Sequence, residues 1–493
     1  MVGIWNIVLT LPVGFLILSY VKLLWTRSRY PPGPFPLPLL GSLWWVGLRL
    51  SPDSLAKITK KYGSMCTVWI AHYPIIILSG YQTVKEGLIN HSEELLDRPL
   101  THFAVEAFNR KGIGFTNGHI WKEQRRFGIV TMRNLGLGKQ GMEYQIEEEA
   151  RRLVEAFSQK KGEPFVPSLL ISNAISSLIS VVSFGYRFSY EDVMFRKLMD
   201  GVDTMAQFSV SFFHVLYDFF PWLMKYLPGP HKDALTFMQE ALSFAKEEIK
   251  KHKECQDPHE PQDFIDFYLI QMEKSKGDPK STFSEDNLAQ SILDLFAAGT
   301  ETTSSTLQWA LLFMVAYPNI QERVYKEMEY VFGSSHSICY QDRKKLPYTN
   351  AVIHEVQRAK YILPVGVPRR CSKELKMLGF HIPKKTLVVT DLNSVLSDPK
   401  HWDTPGEFNP NNFLDKEGNF ITKEEFLPFG AGARACLGEQ MARMELFLFF
   451  THLLRAFKFQ LPEGEKEISQ EPVIGLSMHP QPYKLCAIPR SIL

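Results

Sequence analysis

Along most of the chain, apolar residues recur every three or four positions. Asp53 to Tyr62, Trp121 to Leu135, Glu143 to Gln159 and the stretch around Ala234 to Lys251 each gather one apolar face, the spacing of amphipathic helices. Strand patterns are fewer. Thr67 to Ile70 and Ile75 to Leu78, on either side of His72-Tyr73-Pro74, read as a β-hairpin, and Thr386 to Thr390 reads as one more strand. The pattern predicts a mainly α protein with a small β-sheet region and no internal repeat. Its longest helical run starts near Thr282-Phe283-Ser284-Glu285, which has the form of a capping box, and stops at Tyr317 before Pro318. At 1.5 Å per residue this run is roughly 50 Å long. Its middle, Phe296-Ala297-Ala298-Gly299-Thr300-Glu301-Thr302-Thr303, puts a glycine and three threonines where strong helix formers are expected. Glycine there costs about 1 kcal/mol relative to alanine, which marks the segment as a candidate for function.

The N-terminus departs from this pattern. No charged residue occurs from Met1 to Val21, and the run from Ile4 to Trp25 is long enough to span a bilayer core as a helix. Lys22, Arg27 and Arg29 follow at once, so the positive-inside tendency puts the rest of the chain in the cytosol. The positive charges come after the apolar run and no small-x-small site follows it, unlike a cleaved signal peptide. Pro31-Pro32-Gly33-Pro34-Phe35-Pro36-Leu37-Pro38 then forms a stiff spacer. The organisation expected is a transmembrane anchor over 1–25, a basic and proline-rich hinge over 26–40 and a single large catalytic domain over 41–493.

Composition narrows the function classes. The chain has 493 residues and is 45% hydrophobic, enough for a large core without disulfide staples. Lys+Arg 55 against Asp+Glu 53 leaves a net charge of +2, too balanced for nucleic-acid binding. Cys66, Cys255, Cys339, Cys371, Cys436 and Cys486 are scattered with no C-x-x-C pair, which speaks against a zinc site or a disulfide framework.

One cysteine has unusual neighbours. Phe429-Gly430-Ala431-Gly432-Ala433-Arg434-Ala435-Cys436-Leu437-Gly438 leads into an apolar helical run from Met441 to Phe457. A cysteine at the start of a helix faces partial positive charge that favours the thiolate, a metal ligand. Arg434 offers a cation for an anionic cofactor edge. The same stretch contains G-x-G-x-x-A, but Pro428 interrupts what precedes it, and Leu446 to Phe450 holds no carboxylate for a ribose, so nicotinamide binding here is rejected.

The loop fits F-x-x-G-x-R-x-C-x-G through Phe429, Gly432, Arg434, Cys436 and Gly438, and with it the chain resembles the cytochrome P-450 family. Further matches are Trp121-x-x-x-Arg125, Glu355-x-x-Arg358, and Ala298-Gly299-x-Glu301-Thr302-Thr303. Phe408 to Phe413 matches the third partner of the Glu355–Arg358 pair, with Asn412 where Arg or His is usual, which predicts a weaker lock. Ala351 to Arg358 and Arg434 to Phe450 resemble vertebrate microsomal family-2 members, nearest the arachidonate epoxygenases.

The resemblance implies the P-450 fold and a haem-thiolate monooxygenase carrying haem b. In that reading Cys436 is the axial ligand; Arg98, Trp121, Arg125, Arg369 and Arg434 take the haem propionates; Phe429 and Gly438 of the cysteine loop also bind the haem; Glu355 and Arg358 are a structural lock. Thr302 and Glu301 relay protons, with Gly299 letting the helix backbone pass close to dioxygen. The residues implied for the substrate pocket are Phe103, Phe108, Ile113, Phe115, Phe208, Phe212, Ala298, Leu363, Val367, Leu476 and Ser477, an apolar set that suits a fatty acid, steroid or foreign compound. Electrons would come from NADPH through the membrane-bound cytochrome P-450 reductase, with cytochrome b5 as a further partner and Lys122, Arg126 and Arg133 as a docking face, all on the cytosolic side of the endoplasmic reticulum. A peroxide-rearranging haem isomerase and a non-catalytic haem sensor stay open as alternatives, and both leave Glu301 and Thr302 without a purpose.

Overall fold

A computed structural model describes residues 14, 17–47, 51–136, 140–189, 192–255, 261–333, 337–363, 365–475 and 477–490. They form two compact units, one from Met1–Pro99, Pro364–His401 and Phe429–Ala435, the other from Leu100–Leu363, Trp402–Pro428 and Cys436–Leu493. Most of the anchor expected over 1–25 lies outside the described residues; Ile17, Leu18, Val21 and Trp25 are helical and exposed. Among the described residues no helix is long and apolar enough to cross a membrane.

The first unit holds helix α1 (Pro52–Tyr62) and a four-stranded sheet. Ser51 caps α1 by accepting from the Ser54 amide, and Gly63 ends it at φ +99°. The strands are β1 (Met65–Ile70), β2 (Tyr73–Ser79), β3 (Arg369–Arg370) and β4 (Leu387–Asp391), in the order β1-β2-β4-β3. β1 and β2 are antiparallel, β2 and β4 parallel, β4 and β3 antiparallel. The hairpin turn is tighter than the sequence suggests. Tyr73 and Pro74 pair with Ile70 and Trp69, and the chain reverses at Ala71-His72, with Ala71 at φ +52°.

The second unit is mainly helical: α2 (Gly118–Asn134), α3 (Gln140–Ser158), α4 (Ser168–Phe184), α5 (Val193–Ser209), α6 (Pro230–Cys255), α7 (Glu285–Ala316), α8 (Pro347–Ala359) and α9 (Glu439–Ala456) are its main helices. Short strands β5 (Phe457–Gln460) and β8 (Cys486–Pro489) pair, as do β6 (Pro472–Ile474) and β7 (Met478–Pro480). The helices predicted from periodicity are all present, each displaced by a few residues at its ends.

At 32 residues α7 is buried along most of its length, packed by α4, α6, α9 and β7. Its cap is not the expected Thr282: Ser284 accepts from the Asn287 amide. Thr282 instead donates, through its amide and its hydroxyl, to the Glu123 carboxylate of α2. Gly299 makes a packing contact that its motif did not predict. A Cβ there would lie 2.6 Å from Cδ1 of Ile179, so glycine lets α7 and α4 approach.

That contact sets a prediction. Overpacking costs about 1–3 kcal/mol and the gain in helix propensity is about 1, so Gly299→Ala should lose up to about 2 kcal/mol. Adding Ile179→Val removes the colliding methyl and should recover most of the loss in thermal unfolding. A Gly299→Ala chain more stable than wild type by the full propensity gain would rule out the packing role.

Candidate functional site

Three buried arginines of the first unit lie on adjoining stretches of chain. Arg434 donates through Nε to the Leu96 carbonyl (2.9 Å), Arg369 to the carbonyls of Leu95 and Ala431 (both 3.3 Å), and Arg98 to those of Val367 (2.7 Å) and Pro368 (3.0 Å). These bonds knit Leu95–Arg98, Val367–Arg369 and Ala431–Arg434 together. The turn that carries Arg434 needs its glycine. Gly432 has φ +73°, and a Cβ there would sit 1.8 Å from the Leu88 carbonyl oxygen. Phe429 is half-buried at the start of this loop. Burying three guanidinium groups is expensive unless negative charge meets them, so this donor set fits the carboxylates of a dianionic cofactor edge.

In the second unit Cys436 lies just ahead of α9, whose N-cap is Gly438. Burial pushes the thiol's pKa up, Glu439 adds to that, and the Gly438 amide and the Arg125 guanidinium oppose it. Burial is the largest influence, so the helix N-terminus alone does not hold the thiolate expected from sequence; a metal cation would. Cys436 nevertheless retains exposed surface. A sulfur that is both desolvated and accessible sits in a recess, and no atom lies within 4 Å of where a side chain at Gly438 would begin. Both features fit a bulky group seated on the sulfur.

Trp121 is buried on α2, and Arg125, one turn on, lies 5.8 Å over its ring. Burial pulls the Arg125 pKa down while the Cys436 charge holds it up. The helix expected to face the cofactor therefore also faces the cysteine. Lys122, Arg126 and Arg133 point outward on the same helix, all exposed. No motif pointed to Tyr361, a buried residue whose hydroxyl feels burial first and then the Cys436 charge, both raising its pKa.

The α7 segment is accessible in the middle of an otherwise buried helix: Ala298 is exposed and Thr302 half-buried. The Thr302 hydroxyl donates back to the Ala298 carbonyl (2.8 Å), and Thr306 does the same to Thr302 (2.9 Å), a pattern that tends to bend helices. Glu301 accepts from the Ser477 hydroxyl at 2.5 Å, so Ser477, expected to line a substrate pocket, also holds the candidate acid. Glu445 of α9 is buried against Thr303, and burial raises its pKa to about 8 against the opposing pull of that hydrogen bond. No sequence motif pointed to it.

Glu355 and Arg358 form a buried bidentate pair, with Nε and Nη2 each donating at 2.7 Å. Arg358 also donates to the carbonyls of Pro405 and Glu407, and Glu355 accepts from the Asn409 amide. Asn412 occupies the third place and donates to both oxygens of Glu355, at 3.2 and 3.3 Å. Burial raises the Glu355 pKa against the pull of Arg358 and these amides. The contact expected of a third partner is kept, with a neutral group in place of a cation.

The expected pocket residues divide. Phe103 and Phe208 pack at 4.5 Å inside the core, Phe108 stacks on Phe115 at 4.6 Å, and the Ile113 amide donates to Asp294. Phe212 and Val367 are exposed and Leu363 half-buried, while Leu476 lies outside the described residues. A surface groove of about 1040 Å³ along His102, Glu106, Arg110, Trp222 and Tyr226 includes none of them.

Comparison with known proteins places these features in a family context. The Cytochrome P450 family model matches residues 31–487. Cytochrome P450 2J2 of Homo sapiens is 43% identical over 463 residues, 94% of this chain and 92% of the relative. Cytochrome P450 2J1 of Oryctolagus cuniculus is 42% identical over 479 residues, 97% and 95%. Cytochrome P450 2D4 of Rattus norvegicus is 41% identical over 471 residues, 94% of each.

Two predictions concern stability. Arg358→Ala leaves Glu355 buried and uncompensated, a loss of about 3–5 kcal/mol in chemical unfolding; Arg358→Lys, which cannot make the fork, should not restore it. For Glu445 the unfolded carboxyl releases its proton near 4.5 and the folded one near 8. Between these values the folded state binds more protons, so stability falls as pH rises, by at most about 1.4 kcal/mol per pH unit. Glu445→Gln should flatten that fall; an unchanged pH dependence of the urea midpoint would mean the carboxyl is not held neutral.

Proposed function

Since the chain belongs to the cytochrome P450 family, whose members are haem-iron monooxygenases, we propose that it inserts one atom of dioxygen into a lipophilic substrate, with Cys436 as the axial ligand of haem b. The observation that carries this is the accessible yet desolvated Cys436 sulfur, met by the Gly438 amide and the Arg125 guanidinium. When bound, haem ligated by a thiolate activates dioxygen, and electron release from the sulfur favours O–O cleavage, as is known for this family.

The chain's own residues do the rest. Arg98, Arg369, Arg434, Trp121 and Arg125 neutralise and orient the propionates. The Gly438 amide steadies the sulfur. Thr302, its hydroxyl proton turned to the Ala298 carbonyl, offers an oxygen that accepts and relays a proton, and Glu301 supplies it. The 41–493 region works as the catalytic domain, behind an anchor over 1–25 and a hinge over 26–40.

The substrate class is a fatty acid such as arachidonate, a steroid or a foreign compound. Electrons come from NADPH through cytochrome P-450 reductase, with cytochrome b5 as a second donor, docking on the exposed Lys122, Arg126 and Arg133. The site of action is the cytosolic face of the endoplasmic reticulum membrane. Exposed Phe212, Phe213, Phe220, Trp222, Leu223, Tyr226 and Leu227 support contact with lipid, because so dense an apolar patch is rare on a surface bathed only in water.

The test is the difference spectrum of the reduced protein with carbon monoxide, in which thiolate ligation should give a red-shifted Soret band that Cys436→Ala abolishes. With reductase and NADPH, wild type should oxidise arachidonate or another lipid of a panel. Turnover of hydroperoxides without NADPH would point to an isomerase, and haem loading without turnover of either kind to a sensor.

A further inference from the structure

One face of α8 carries Asn350, Ile353, His354 and Gln357, spaced three and four residues apart. A helix face turned into a protein is normally apolar, yet three of these four side chains are polar. They meet a cavity of about 280 Å³. Around it stand the short helical turn Tyr340–Lys344, Arg443 and Phe447 one turn apart on α9, and Phe413, Phe420 and Phe426 from the segment after α8. All of these residues belong to the second unit.

Polar groups at this cavity are short of partners. Gln357 is 7% exposed, yet among the described residues its side-chain amide has no hydrogen-bond partner, and neither has that of Asn350. Arg343 is held flat on Tyr340, its Cζ 4.0 Å from the ring centroid, and its Nη1 donates to the Tyr340 carbonyl at 2.9 Å. Its Nε and Nη2 have no protein acceptor among the described residues, and these two parallel N–H groups are an edge that grips a carboxylate in a fork. Charge adds to this. Arg343, Lys423 and Arg443 line the cavity and no carboxylate does. Lys423 lies 4.8 Å over the Trp402 ring, and Arg443 is answered by Glu439 at 3.0 Å. His354 donates through Nδ1 to the Asn350 carbonyl (2.7 Å) and accepts from Arg443 at Nε2 (3.0 Å), the pattern of a neutral imidazole. Burial first, then the charges of Arg443 and Arg343, push its pKa down to about 3. The walls are aromatic: the rings of Phe413, Phe420 and Phe426 lie 5.5, 4.6 and 5.1 Å from the imidazole.

We propose that this cavity binds a small aromatic carboxylate, with the anion on the free edge of Arg343 and the amides of Asn350 and Gln357, and the ring among the phenylalanines. Its volume is at the lower end for ligand sites, about 300–1,000 Å³, which suits one or two rings rather than a long-chain lipid. Water alone would satisfy the amides and leave the positive charge unanswered; an anion meets both needs. A ring fills the aromatic part, which a bare inorganic anion does not. The site uses none of the residues assigned to dioxygen or to the lipophilic substrate, so it stands apart from the monooxygenase reading.

The experiment is fluorine NMR of the full-length holoenzyme with para-trifluoromethylbenzoate as probe and para-trifluoromethylbenzamide as its neutral isostere, comparing wild type, Arg343→Gln, Arg343→Lys and Gln357→Leu. In wild type the acid's resonance should broaden and shift in the ring currents of the aromatic walls, and the amide should bind about tenfold more weakly. Arg343→Gln should weaken the acid by about tenfold, and Arg343→Lys, which keeps the charge without the fork, should recover only part of that. Gln357→Leu, close in volume, should weaken it by about fivefold. No shift at millimolar acid, equal affinity for acid and amide, or an acid affinity indifferent to Arg343→Gln would each overturn the proposal, the last by placing the acid elsewhere on the protein. Should Arg343→Gln fail to fold, Gln357→Leu and the comparison of acid with amide in wild type decide: an acid affinity unchanged in Gln357→Leu would then overturn it.

Discussion

A helix buried along most of 32 residues has to find partners for every polar side chain it carries, and α7 carries a hydroxyl at Thr300, Thr302, Thr303, Ser304, Ser305 and Thr306. Half of these hydroxyls are satisfied inside the helix. Thr302, Ser304 and Thr306 donate back to carbonyls three or four residues earlier, while Thr303 turns to Glu445 on α9. The backbone can run so close to α4 only because position 299 has no side chain. The candidate acid and alcohol inherit their positions from these constraints. Glu301 leans to Ser477 and Thr302 stays along the helix, so the candidate pair is set by how a polar helix is made tolerable in a core.

Charge is handled differently in the two units. The first concentrates three buried guanidinium groups on main-chain carbonyls, an arrangement suited to a dianion. The second leaves a thiol whose burial outweighs the amide and guanidinium beside it.

The Glu355–Arg358 pair is the mechanical counterpart of these sites. With Asn412 in place of a cation, the carboxylate keeps its full set of donors but only one positive charge. The fork geometry and the carbonyls of Pro405 and Glu407 therefore carry more of the work of holding the segment after α8 in place.

The sequence by itself determined what is written in contiguous residues. Periodicity located α1, α2, α3, α6 and α7 and the β1–β2 hairpin because burial of one face imposes a repeat, and the loop around Cys436, the Trp121–Arg125 turn and the Glu355–Arg358 turn were legible because each motif lies within one or two helical turns. Tertiary structure alone decided the rest. Ser477 reaches Glu301 across 176 residues, Glu445 meets Thr303 between helices, Gly299 answers to Ile179, and Ser284 caps α7 because Thr282 is drawn to Glu123. None of these leaves a periodic trace. Each arises where chain segments distant in sequence compete for the same buried space or the same hydrogen-bond partner, and only packing resolves that competition.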